Sequence, residues 1–425
     1  MGKILEVRDL VTKFYTFDGV VHALSGVSFD LNEGETLGVV GESGSGKSVT
    51  MMSLLHLLPS PPARIEGGQA LYYGDMHKSY GDMHKSCGDM HKSYGDMHKS
   101  YGDMHKSSHS RDISSSRDNQ MLKDSIKKPV RGSINETLKD SIKQPVRGSI
   151  NETLKDSIDR PIKEQIKDAP IQDIKEPVDL LKLDRAGIRS IRGGKIGFIF
   201  QDALSALNPV MIIGRQIGEN LVEHLGMGAD DAKKRVLELL EYVGIPNPGR
   251  RYSCYPHQFS GGMRQRIMIA LAIACNPRII IADEPTTALD VTVQAQIIEL
   301  VQRLTREMNI AVIWITHDLG VVAGMADRVL VMYAGTPVEI APVNELYTNP
   351  AHPYTIKLLG ALPIIGEEAD HRLESIDGTP PDLLAPPVHC QFAWRCPHAA
   401  KRCWQEIPEQ REVTPGHHAA CFNVA

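Results

Sequence analysis

The sequence predicts an α/β fold: a parallel sheet covered by helices, with a phosphate-binding turn at one strand end. Three observations carry this. Residues 36–58 run as an apolar strand, a glycine-rich turn and an apolar helix. From residue 179 onward, short apolar strands alternate with helical patterns, the order that builds a parallel sheet through helical crossovers. Finally, Ile279-Ile280-Ile281-Ala282-Asp283-Glu284 stays apolar until it closes in two carboxylates, as a strand buried on both faces would.

The elements follow in chain order. Residues 3–40 read as short strands on Ile4, Val7 and Leu10, on Val27, Phe29 and Leu31, and on Leu37, Val39 and Val40. Asp-Gly and Asn-Glu-Gly turns separate them. Gly41 to Ser48 fit G-x-x-x-x-G-K-[ST]. Gly41, Gly44 and Gly46 let the backbone curl around Glu42, Ser43 and Ser45, so that successive N–H groups face phosphate oxygens. Lys47 can reach β- and γ-phosphates, Ser48 can hold Mg²⁺, and the helix opening at Lys47 and Val49 adds its positive dipole end. This implies a nucleoside triphosphate. Residues 67–73 read as one more strand.

The composition then changes. Five seven-residue units, Tyr-Gly-Asp-Met-His-Lys-Ser in pattern, run from Tyr73 to Ser107, one of them starting at Cys87. Sixteen-residue units follow at Leu122–Thr137 and Leu138–Thr153, with a decayed copy from Leu154. The insert spans roughly 74–177. A coiled coil conflicts with one Gly per heptad, at about 1 kcal/mol each, and with Pro129, Pro145 and Pro161. His77, His84, His91, His98 and His105 offer a metal-binding alternative. The preferred reading is a disordered repeat expansion in a surface loop.

Ordinary sequence resumes near Val178. A helix is expected on Leu180, Leu181, Leu183, Ile188 and Ile191, then a strand at Lys195–Phe200, and a helical region over 214–275. Strands are expected at Arg278–Ala282, Ile310–Ile315 and Arg328–Met332, with a helix at Val291–Met308. Asp283 can hold Mg²⁺, and Glu284 can orient or deprotonate a water at the γ-phosphate. Ser260-Gly261-Gly262 opens a helix as a second anion site, suited to a nucleotide held by another subunit.

Net charge is −5, from 47 basic and 52 acidic residues, which argues against a nucleic-acid-coating surface. No run of 18 apolar residues spans a membrane. The N-terminus lacks a signal-peptide core, so a cytosolic chain with reduced cysteines is expected.

On these motifs the chain resembles ATP-binding cassette (ABC) ATPases. The family's Leu-Ser-Gly-Gly-Gln signature stands here as Phe259-Ser260-Gly261-Gly262-Met263. The resemblance implies a RecA-like core, an antiparallel β-subdomain and a helical signature subdomain. It assigns Gln201 to Mg²⁺ contact and partner sensing, His317 to the γ-phosphate, and Asp290 to coupling between two sites. An aromatic stacks on adenine in the family; Tyr15 is chosen, with Phe14 and Phe17 close by. Asn349-Pro-Ala-His-Pro-Tyr-Thr355 and Gln201–Val210 resemble ATPases of oligopeptide, dipeptide and nickel importers. That branch implies two membrane-spanning permease subunits, a second homologous ATPase, an extracytoplasmic solute-binding protein and a place on the cytoplasmic face of the cell membrane. The implied domains are an ATPase over 1–340, interrupted by 74–177, and an extension over 341–425. The solute expected is a di- or oligopeptide, with nickel as the alternative. A soluble cassette acting on nucleic acid or the ribosome fits less well, because the insert precedes Gln201 and only one cassette is present.

Cys390, Cys396, Cys403 and Cys421 have five, six and seventeen residues between successive members. These gaps fit zinc knuckles poorly. Four thiolates suit a [4Fe–4S] cluster, as the branch also suggests, with zinc, helped by His389 or His398, or free thiols as alternatives. Cys254 and Cys275 read as buried small residues.

Overall fold

The computed structural model describes residues 2–75, 176–287, 289–362 and 376–424. The repeat insert, its histidines and its disordered or coiled-coil reading lie outside these residues, save for its two ends.

A four-stranded antiparallel sheet forms first. Strands β1 (Lys3–Thr16), β2 (Gly19–Asn32), β4 (Ala63–Tyr72) and β5 (Val178–Asp179) lie in the order β2-β1-β4-β5. The expectation of several short strands over 3–32 is corrected here. Each of β1 and β2 is continuous for 14 residues. The three-residue spacing of Ile4, Val7 and Leu10 comes from bulges: the pairing register slips between Val7 and Leu10, where Asp9 has φ 49°.

The second sheet has eight strands. It adds β3 (Thr36–Val40), β6 (Ile196–Ile199), β7 (Ile279–Asp283), β8 (Ala311–Ile315), β9 (Arg328–Tyr333), β10 (Thr336–Pro342), β11 (Arg411–Thr414) and β12 (His417–Ala419). Their order is β11-β12-β10-β9-β3-β8-β7-β6. Strands β9, β3, β8, β7 and β6 are parallel neighbours, as expected. Beyond β9 the pairing turns antiparallel, so the C-terminal strands extend the edge of the same sheet.

Helices cover it. They are α1 (Lys47–Leu54), α2 (Arg185–Ile191), α3 (Ile213–Leu225), α4 (Ala229–Tyr242), α5 (Gly261–Ile273), α6 (Val291–Met308), α7 (Leu319–Ala323), α8 (Val343–Thr348) and α9 (Pro353–Gly360). The helix expected from residue 179 is split. Asp179 ends β5 and caps a 3₁₀ turn at Leu180–Lys182, and Asp184 caps α2 through the Gly187 N–H. Capping carboxylates at both positions start two short elements where apolar spacing alone suggested one.

The alternation along the strands builds two cores. Leu37, Val39, Leu330 and Met332 join the antiparallel sheet and α1. Val40, Val329, Val331 and Tyr333 face the other way, against α7, α8, α9 and Phe392. The two ends of the insert meet on a sheet edge, where Leu71 pairs with Asp179 and Tyr72 with Val178. Arg192, just after α2, donates to the Leu55 and His56 carbonyls at 2.6 and 2.5 Å, which ties the returning chain to the end of α1. No helix among the described residues is long and apolar enough to cross a membrane.

Candidate nucleotide site

The central strand β3 delivers Gly41 to Ser48 to the carboxyl edge of the parallel sheet, beside the ends of β7 and β8. Gly41 sits where a β-carbon would stand 2.2 Å from the Met332 carbonyl oxygen, so only glycine lets the loop leave β3 this close to β9. Gly44 has φ 78°, in the left-handed region, with open space beside it. Ser45 is buried, its N–H donates to the Glu42 carbonyl at 3.2 Å and its carbonyl accepts the Gly335 N–H at 3.0 Å. The Ser45 hydroxyl is buried with no hydrogen-bond partner among the described residues. A donor left this way suits a loop built to receive acceptor oxygens. Ser43 is exposed, and Val49 packs beside the first core.

Lys47 is buried at the start of α1, and its ammonium donates to the Gly41 and Glu42 carbonyls at 2.8 and 2.9 Å. Burial holds its pKa below the usual lysine range, against the pull of Glu284, Asp283 and Glu42. Asp283, at the end of β7, shifts the opposite way: burial pushes its carboxyl up, partly offset by a hydrogen bond from Ser48. That bond, Ser48 Oγ to Asp283 Oδ1, is 2.8 Å. A hydroxyl and a carboxylate meeting beside a phosphate loop are the hard oxygen donors that Mg²⁺ takes, so these residues fit the ion expected there.

Glu284 gathers the other predicted side chains. Its Oε2 accepts from Gln201 Nε2 at 2.9 Å and from Thr287 Oγ1 at 3.1 Å, and His317 Nδ1 lies 3.4 Å from Oε1. Its own N–H donates to the Ile315 carbonyl, and its φ is 45°. The structure thus brings Lys47, Ser48, Gln201, Asp283, Glu284 and His317 into one neighbourhood from β3, β6, β7 and β8. Thr287 was not expected; its place in Pro285-Thr286-Thr287, just after the two carboxylates, was the available signal.

The remaining residues stand apart. Ser260 caps α5 through the Met263 N–H at 3.4 Å, and Asp290 caps α6 through the Val293 N–H at 2.9 Å. Ser260, Gly261 and Asp290 are exposed, and Gly262 is half-buried against Val293. Among the described residues none of the four is hydrogen-bonded to the phosphate loop. Tyr15 is 45% exposed near the end of β1, its hydroxyl donating to Glu66 and its ring 5.8 Å from the Arg64 guanidinium. Phe17 is fully exposed in the following turn.

The four tail cysteines lie close together in the fold, and the Cys390 N–H donates to the Cys403 carbonyl at 3.1 Å. Burial pushes the Cys390 thiol up to about 11 and raises Cys396 and Cys421. Yet no three His, Cys, Asp or Glu side chains among the described residues are placed to share a metal ion. As placed, the thiols do not form a ligand set, and the geometry does not support the iron–sulfur or zinc expectation. Cys275 is buried as expected, whereas Cys254 is only half-buried because its segment, between Tyr252 and Pro256, runs along the surface.

Residues 24–287 match the family described as ABC transporter, and residues 338–403 match the oligopeptide/dipeptide transporter C-terminal region. The chain is 37% identical to the oligopeptide transport ATP-binding protein OppD of Bacillus subtilis strain 168, over 98% of this chain and 87% of that protein. It is 38% identical to the dipeptide transport ATP-binding protein DppD of the same organism, over 99% and 95%. OppD of Salmonella typhimurium is 36% identical over 99% and 93%. Among solved structures, the ATP-binding cassette MJ0796 in a dimeric post-hydrolysis state bound to ADP and Pi shares the fold. It has a TM-score of 0.50 and 20% identity, over 80% of this chain and 98% of that one.

Proposed function

Because this chain belongs to the ABC transporter family, with an oligopeptide/dipeptide transporter C-terminal region, we propose that it is the ATP-hydrolysing subunit energising an importer of di- and oligopeptides. The observation that carries the mechanism is the convergence of Gln201, Thr287 and His317 on Glu284, one residue beyond Asp283.

The chemistry follows from that arrangement. The phosphate loop N–H groups and Lys47 bind the β- and γ-phosphates. Mg²⁺, held by Ser48 and Asp283 with Gln201 nearby, would neutralise charge on those phosphates. Glu284 accepts a proton from the water that attacks the γ-phosphorus. The bond from that phosphorus to the β–γ bridging oxygen breaks, giving ADP and phosphate. His317 contacts the γ-phosphate, and Tyr15 is the aromatic proposed against adenine. Ser260, Gly261 and Asp290, exposed, and half-buried Gly262, none hydrogen-bonded to their own phosphate loop among the described residues, suit closure onto a nucleotide held by a second, homologous ATPase subunit. The Gln201–Val210 stretch would face two membrane-spanning permease subunits on the cytoplasmic side, with an extracytoplasmic binding protein supplying solute. In this organisation residues 1–340 are the ATPase and 341–425 the extension.

Glu284→Gln tests the reading. Turnover should fall by about 10² or more, the scale of general-base catalysis, while ATP binding is retained. Near-normal hydrolysis would remove Glu284 from the role of base. Stimulation of the reconstituted complex by di- and oligopeptides supports the solute class, and stimulation by Ni²⁺ alone would reassign it.

The tail cysteines enter no step. An iron–sulfur site there is supported by ligand number and type alone. Iron and acid-labile sulfide, assayed on protein purified without oxygen, decide it: stoichiometric amounts support a cluster, and none leaves four reduced thiols.

A further inference from the structure

We propose that the C-terminal extension sets the shape of the phosphate loop, with Tyr354 and Arg395 acting as positioning residues on Glu42. The proposal rests on the nucleotide site above. Glu42, the second residue of the loop, has all three of its polar ends engaged. Its N–H donates to the Tyr354 hydroxyl at 2.9 Å. Its carboxylate takes a two-pronged contact from the Arg395 guanidinium, at 2.6 and 2.9 Å. Its carbonyl accepts from Lys47 at 2.9 Å. The carbonyl also accepts the Ser45 N–H at 3.2 Å, within the loop. Both holders from outside the loop and its helix, Tyr354 and Arg395, therefore come from the extension.

These holders are themselves fixed. The Arg395 side chain is 4% exposed and donates as well to the Tyr333 hydroxyl and to the Ile376 and Asp377 carbonyls. Tyr354 is fully buried, with ring centres 4.7 Å from Tyr333 and 5.4 Å from Phe392. Tyr333 ends β9, which is hydrogen-bonded to β3, so the clamp is anchored to the sheet that carries the loop.

The Lys47 ammonium has three donors; the Gly41 and Glu42 carbonyls take two, which leaves the third for a phosphate. With Glu42 pinned, those carbonyls hold the ammonium in place and the loop stays open. Without the clamp, the loop can follow its lysine and close on itself. Loss of the clamp should therefore weaken nucleotide binding and leave the chemical step largely intact.

The test is steady-state ATP hydrolysis and ATP binding by the full complex carrying variants of this chain. Arg395→Gln should raise KM for ATP about tenfold, as expected for a charge-assisted bidentate pair, with kcat within about twofold. Arg395→Lys should recover only part of the loss, because an ammonium cannot make the fork contact. Glu42→Gln breaks the same pair without touching the extension, and should match Arg395→Gln even if the latter folds poorly. The double variant should be no worse than either single one. An unchanged KM in Glu42→Gln, or additive effects in the double variant, overturns the proposal. Lys47→Ala separates the two readings. If it leaves ATP binding intact, the nucleotide site itself is wrong. If it abolishes ATP binding while Glu42→Gln does not move KM, only the clamp is wrong.

Discussion

Glu284 and Gly41 show how much of this site rests on single backbone positions. Glu284 has φ 45°, a conformation that costs a residue with a β-carbon about 1–3 kcal/mol. It is held there by its N–H bond to Ile315 and by the three side chains that converge on its carboxylate. The two loop glycines differ in kind. At Gly44 an added β-carbon meets only the left-handed backbone penalty, about 1–2 kcal/mol. At Gly41 it meets the Met332 carbonyl at 2.2 Å, and neither strand can move away without breaking sheet pairing. Gly41→Ala should therefore lower the melting temperature of the nucleotide-free protein well below that of Gly44→Ala. Equal melting temperatures would show that the loop gives way at no cost. Both glycines were legible from the phosphate-loop pattern; the reason that one of them is steric was not, because Met332 is nearly three hundred residues away in the chain.

Helix α9 carries the clearest effect of pH. His352 caps it, accepting the Tyr354 N–H at 3.1 Å on Nδ1, and is 2% exposed. Burial lowers its pKa from 6.5 to about 4. Below pH 6.5 the unfolded chain takes up a proton that the folded chain refuses, so stability falls as pH drops from about 6.5 to about 4. The window of 6.5 to about 4 corresponds to about 3 kcal/mol at 1.36 kcal/mol per unit. Melting temperature followed over this range should drop in the native protein, and His352→Asn, which keeps a capping acceptor, should flatten the slope. An unchanged slope would place the acid sensitivity elsewhere. At this scale the sequence spoke unevenly. Strands β3, β7, β8 and β9 were readable because continuous apolar runs mark buried parallel strands. Strand β1 was not, since its bulges break the period of two. The Glu42–Arg395 pair left no trace either, because no local pattern links residues 353 apart.

In the whole molecule the last two strands belong to the sheet that carries the nucleotide site. Strands β11 and β12 continue the edge that begins at β10, and Phe392, fully buried beneath Tyr333, adds about 2–3 kcal/mol of apolar burial to the join. By contrast, the insert leaves and returns through adjacent antiparallel strands, β4 and β5. Replacing residues 76–175 by a short turn should leave ATP hydrolysis within about twofold, since the closing strands keep their pairing. A larger loss would give the repeats a part in the cycle. The same hairpin exit bears on the history of the gene. On the reading of the repeats as a flexible loop, each doubling of its length costs only about 0.6 kcal/mol, so one seven-residue unit would change stability by on the order of 0.1 kcal/mol. Copying errors that add or drop a tandem unit would pass unseen by selection for a folded transporter. Isolates should then differ in unit number while growing equally well on peptides.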